Sequence, residues 1–104
     1  MTPETKLILD QSLEIPAVRR MLERMPREFT ANEFIAYYKD LHPLEYAAAL
    51  DDMGYHNLHL WFSQQCLMSL DQMGLIRHTD REKDVQTWGG RPTRNDVWLN
   101  LLVS

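Results

Sequence analysis

Three side-chain amides, Asn57, Gln64 and Gln65, fall in one stretch whose apolar spacing is helical. A helix presenting Asn and Gln outward can pair bidentately with adenine in the major groove of a DNA duplex. Two arginines, Arg91 and Arg94, follow or overlap the turn Gly89-Gly90-Arg91-Pro92. Such a turn permits close approach to a phosphate backbone or a minor groove, where arginine is favoured. Trp61 and Met68 lie seven residues apart, in the same sector of a regular helix as the amides. Large apolar groups on a polar face mark a protein partner, unless the preceding helices cover them. Duplex DNA and a protein docked on the Trp61/Met68 face are therefore the two partners these residues suggest.

Charge separates the two readings. The chain of 104 residues has a net charge of −4, unevenly spread. Residues 1–74 hold six Lys/Arg against eleven Asp/Glu, residues 75–104 hold five against four, and no basic side chain lies between Lys39 and Arg77. DNA affinity rests largely on neutralising phosphates, and the amide-bearing helix brings no cation while its Asp71 repels. Cations for DNA would come from Arg91 and Arg94, from Arg77, Arg81 and Lys83, and from Arg19, Arg20, Arg24 and Arg27. The acidic balance instead suits an interaction module that binds protein.

Other chemistry is thinner. His56 and His59 lie three apart near Asp51 and Asp52, but no second spaced cluster accompanies them, so no metal is expected. Cys66 is the sole cysteine, without a basic neighbour, and reads as a structural thiol. The chain shows no nucleophile elbow, phosphate loop or framed pair of carboxylates; neither an enzyme nor a cofactor is expected. One cysteine and six methionines suit a reducing compartment, and no apolar run exceeds five residues. The opening Met1–Lys6 lacks a basic run followed by an apolar one. These features predict a cytoplasmic protein that neither spans nor enters a membrane.

The elements that must hold these residues follow from local signals. At 44% apolar and 25% charged, residues 1–104 read as one domain, with residues 1–14 as an N-terminal extension and helix. Thr2-Pro3-Glu4 starts a helix over about 3–11. Pro16 opens a second, with Ile15, Val18, Leu22 and Met25 on one face, ended by Pro26. Thr30-Ala31-Asn32-Glu33 is a capping box, and Phe29 with Phe34 supplies its hydrophobic staple. The helix it starts covers about 31–41, with Phe34, Ile35, Tyr38 and Leu41 inward. Pro43 begins another over about 43–53.

Leu50-Asp51-Asp52-Met53-Gly54-Tyr55 and Leu70-Asp71-Gln72-Met73-Gly74-Leu75 share a pattern, and both predict Schellman caps. Between them a helix over about 57–73 should turn Leu58, Phe62, Cys66, Leu70 and Met73 into the core. Leu60 and Leu67 should form a second face against the preceding helices. Residues 75–79 and a run with alternating Val97, Leu99, Leu101 and Val103 predict two strands, with 80–95 as a long wing loop in which Trp88 pins the tip. Residues 27–29 can add a third strand.

The fold class is thus α+β and mainly helical. Glu28–Phe34 as a strand entering a helix, Ser63–Ile76 as a recognition helix entering a wing, and Gly90–Pro92 through Val97–Asn100 as the wing's return resemble the winged helix-turn-helix superfamily over about 15–103. The helix over 43–53 stands where that superfamily has a tight turn. The resemblance implies a small DNA-binding transcriptional regulator, acting as a dimer. The alternative within the same superfamily is an adaptor or inhibitor that binds protein and not DNA.

Overall fold

The computed structural model describes residues 1–86 and 90–103. Among these residues six α-helical segments, one π turn and three strands follow in the order α1 (Pro3–Ser12), α2 (Ile15–Arg24), β1 (Glu28–Thr30), α3 (Ala31–Leu41), α4 (Pro43–Met53), α5 (Tyr55–Trp61), the π turn (Phe62–Cys66), α6 (Leu67–Gln72), β2 (Ile76–Gln86) and β3 (Pro92–Asn100). The sheet is antiparallel with order β1-β3-β2. This is an α+β, winged-helix-like arrangement, with the extra helix α4 before the long helix and a C-terminal hairpin as the wing.

The caps act as their residues predict. The Thr2 hydroxyl accepts the Thr5 amide at 3.2 Å. At Thr30 both halves of the capping box form: its hydroxyl accepts the Glu33 amide at 3.3 Å, and its own amide donates to the Glu33 carboxylate at 3.2 Å. The Phe29 and Phe34 rings of the staple lie 6.0 Å apart. Leu9, Val18, Met21, Leu22, Met25, Phe34, Tyr38, Leu58, Phe62 and Trp98 meet in one core. Because Leu9 is fully buried there, residues 1–14 are part of the body and not an appendage. The Thr2 amide also donates to the Asp52 carboxylate at 3.0 Å, which ties the start of α1 to the end of α4.

Several expectations are corrected. Ile15 and Leu41, each at the end of its stripe, are exposed, and Met73 is 57% exposed. Gly74 makes the full Schellman pair, Leu75 N–H to the Leu70 carbonyl at 3.1 Å and Gly74 N–H to the Asp71 carbonyl at 3.0 Å. Gly54 does not: at φ 78° and ψ 162° it is extended, a glycine conformation, and its carbonyl accepts the Leu58 amide as the next helix begins at once. It is a corner between α4 and α5, not a stop.

The wing also differs. Residues 80–95 are mostly strand, since β2 runs to Gln86 and β3 starts at Pro92, with an irregularity in register between His78 and Glu82. Their polar sequence hid this, because both faces there are largely solvated and no apolar alternation is needed. At the other end β3 stops at Asn100. The Asn100 side chain accepts the Leu102 amide at 3.1 Å, a local turn that takes Leu101–Val103 off the strand. The expected place of Trp88 lies outside the described residues.

Candidate interaction surface

The long helix carries most of the candidate residues, and its π turn decides where they point. Across that turn the Leu67 amide donates to the Phe62 carbonyl, five residues back. The Ser63 hydroxyl donates to the His59 carbonyl at 3.1 Å at its entry. One extra residue per turn rotates everything downstream by roughly 100°. The buried stripe is therefore Leu58, Phe62, Leu67 and Leu70, with a step of five where the regular pattern has four, and Cys66 sits beside it. Leu67 packs into the centre, while Leu60, expected on the same covered face, is 41% exposed.

The rotation separates Trp61 from Met68. Trp61 is half-buried, with its ring edge-to-face to Phe62 at 5.2 Å, and forms one wall of a groove of about 350 Å³ between α1, α2 and the long helix. Gln65, Ser69 and Met73 continue that wall; Leu9 and Leu70 line the same groove, and Ile15 reaches it from α2. Met68 does not line the groove and is 44% exposed. It shares four-residue spacing with Leu60 and Gln64, all exposed. Asn57 is exposed too, and its amide donates to the Met53 carbonyl at 3.2 Å, bridging the Gly54 corner. So Gln64 and Met68 form an outward set with Leu60, Trp61 and Gln65 form a groove wall, and Asn57 caps the neighbouring helix end.

Of the two wing arginines, Arg94 stands on β3 and Arg91 immediately precedes it. Arg94 Nε lies 3.3 Å from Asp84 and 3.4 Å from Glu82, across the hairpin. Arg81 donates to Glu28 at 2.6 Å, and this bond holds the Glu28 carboxyl below its ordinary value. Arg91 is exposed beside the tip. The far half of the hairpin leans on α3: the Asn95 side chain accepts the Asn32 amide at 2.9 Å, and the Asn32 side chain donates to the Gln86 carbonyl at 3.2 Å. No periodic signal marks Asn32 and Asn95 as partners, since they lie 63 residues apart.

The histidine pair is split as well. His59 is buried, accepts or donates one bond to the Tyr46 hydroxyl at 2.8 Å, and stacks on Tyr55 at 4.0 Å between centroids. Burial pushes it down to about 4 and pushes the Tyr46 hydroxyl up to about 12. His56 is exposed on the outside of the same helix. Among the described residues no three His, Cys, Asp or Glu come together as metal ligands. Cys66 is buried and its thiol is raised to about 12 by desolvation, an inert environment for a thiolate. No helix of the described residues is long and apolar enough to cross a membrane. Compared with protein-family models, with curated proteins and with solved structures, the chain matches none of them.

Proposed function

We propose that this chain is a winged-helix-type protein-interaction module, an adaptor or inhibitor whose long helix receives a basic, apolar-centred segment of another protein. The carrying observation is the exposed face around Leu60, Gln64 and Met68. It offers large apolar side chains, no cation, and Asp71 close by. Every acid between Lys39 and Arg77 is unopposed by Lys or Arg in that span, so charge complementarity selects Lys or Arg on the partner's rim. The element order and the β1-β3-β2 sheet support placing the chain with the winged helix-turn-helix superfamily. A fold of that kind hosts both DNA and protein binding, so the site and not the fold must decide. A single buried thiol and six methionines support a reducing, cytoplasmic setting.

The DNA reading keeps one specific support. Gln64 and Gln65 are exposed, and Arg19, Arg20, Arg24 and Arg27 stand on or beside α2 without ion pairs among the described residues. Against it, Arg94 and Arg81 are already committed to carboxylates. Titration of the chain into random duplex DNA at falling salt separates the two. The expected result is no saturable binding. A saturable isotherm whose salt slope reports several released counterions overturns the proposal in favour of a DNA-binding, dimeric regulator. In a companion selection, displayed random peptides that bind the chain should be enriched in Lys and Arg around large apolar residues. Those peptides should bind at least about tenfold more weakly to Leu60→Asp/Met68→Asp.

A further inference from the structure

Arg20, Arg24 and His42 line a cleft of about 180 Å³ between α2 and the corner where α3 meets α4; its other walls are Ala17, Met21 and Leu41. The arginines are one helical turn apart, and like charges at that spacing repel. Neither has a carboxylate within 4.0 Å among the described residues, although Glu23 lies on the same helix. This contrasts with Arg81 and Arg94, which are each drawn to an acid. His42 completes the rim, with its ring 5.1 Å from Tyr38 and its Nδ1 3.3 Å from Glu45. Glu45 lines the adjoining hollow with Ile8, Gln11 and Ser12, which shares His42 with the arginine cleft, and among the described residues no acid lines the arginine cleft itself.

Two arginines lining one hollow suit the oxygens of a phosphoryl group, which accepts paired N–H bonds from guanidinium. Apart from His42 the remaining walls are apolar, and the volume of about 180 Å³ exceeds what a bare phosphate fills. We propose that this cleft binds the phosphate monoester head of a ligand with an apolar body, the head between Arg20 and Arg24 and the body against Ala17, Met21 and Leu41. The cleft shares no residue with the Leu60–Met68 face, and the inference does not depend on what that face binds.

The test is a chemical-shift titration of the full chain with phenyl phosphate and, in parallel, inorganic phosphate. Phenyl phosphate should saturate, with shifts centred on residues 17–24 and 41–42, and should bind at least about threefold tighter than inorganic phosphate. Arg20→Gln/Arg24→Gln should weaken it at least about tenfold, while Arg19→Gln/Arg27→Gln, which removes equal charge nearby, should change it less than about twofold. Arg20→Lys/Arg24→Lys keeps the charge and loses the forks, so it should fall between these, and it decides the matter if a melt shows the Gln variant unfolded. Shifts that rise linearly without saturating, equal losses in the two Gln variants, or equal affinity for the two phosphates would each overturn the proposal.

Discussion

At its base the β2–β3 hairpin pairs Ile76 with Asn100 and His78 with Trp98; beyond the irregularity after His78 it pairs Lys83 with Asn95 and Asp84 with Arg94. The ladder is antiparallel throughout, but what holds it changes. At the base, Trp98 is buried against Phe29 on one neighbouring strand and meets His78 edge-to-face at 4.8 Å on the other. Asn100 is 1% exposed, and its side-chain amide donates to the Leu22 carbonyl at 2.6 Å, at the end of α2. In the outer half the side chains of Arg94, Glu82 and Asp84 pair in solvent, while Asn95 and the Gln86 carbonyl bond to Asn32 of α3. The base is thus part of the core, and the outer half is a charged arm anchored at Asn32 of α3. Cations spent on cross-strand pairs are also cations withheld from a phosphate backbone.

The largest effect should come from the base. Trp98→Ala removes a fully enclosed ring that both neighbouring strands pack on, and should cost about 3–5 kcal/mol in chemical denaturation. A cost below about 1 kcal/mol would mean that the sheet is an accessory to the helices and would erase the contrast between the two halves.

Asn100 tests whether the base is held by hydrogen bonds as well as by apolar burial. Asn100→Ala leaves the Leu22 carbonyl and the Leu102 amide without this partner, and should cost about 2 kcal/mol. Asn100→Asp preserves shape but replaces a donor with an acceptor facing the carbonyls of Leu22, Met25 and Pro26. A buried carboxylate so placed should cost more than alanine does. The reverse order in equilibrium denaturation would show that side-chain volume, not donor direction, is what this position supplies.

Signals confined to one turn of chain were legible in the sequence; those that depend on distant partners were not. The Thr30 capping box, the Phe29/Phe34 staple and the Gly74 cap each need only a few neighbouring residues to decide them, and all three stand where the sequence predicts. The Gly54 corner shares the Gly74 pattern, yet the following Tyr55-His56-Asn57 continues as helix, so the same glycine serves a different geometry. The π turn has no local signature: Cys66 and Leu67 are consecutive apolar residues, and only the packed core shows that both are buried. That one unseen residue of rotation is why Trp61 and Met68, predicted together, stand apart. Asn100 reads as an ordinary strand position until α2 is placed over it.

Asn95 is one of two points where the outer half is hydrogen-bonded to α3 among the described residues, the other being the Gln86 carbonyl. Its side-chain oxygen accepts the amide of Asn32 in the first turn of α3, a turn whose amides lack intrahelical acceptors. Asn95→Ala should therefore cost about 1 kcal/mol, in the range of losing a helix-capping acceptor. It should also speed hydrogen exchange at the Asn32 amide more than at residues 76–78. Uniform acceleration along the whole hairpin would mean that its two halves open as one unit.

Arg94 should give the smallest effect. Its side chain is 69% exposed, and its contacts to Glu82 and Asp84 at 3.4 and 3.3 Å are not backed by a buried partner. Exposed ion pairs gain little, because water screens the attraction and two long side chains must be ordered to hold it. Arg94→Ala should change stability by less than about 0.5 kcal/mol at low salt, and by still less as added salt screens the pair. The substitution also leaves Glu82 and Asp84 facing each other without the cation between them, so any loss at low salt should come from their repulsion. Glu82→Gln in the Arg94→Ala background should then restore what was lost. A loss above about 1 kcal/mol that salt does not reduce would mean that Arg94 packs through its aliphatic stem, and that the outer half is held as the base is. If duplex DNA were the ligand, the same substitution would flatten the salt slope by about one phosphate contact without affecting the melt. On the protein-binding reading there is no duplex affinity for it to change.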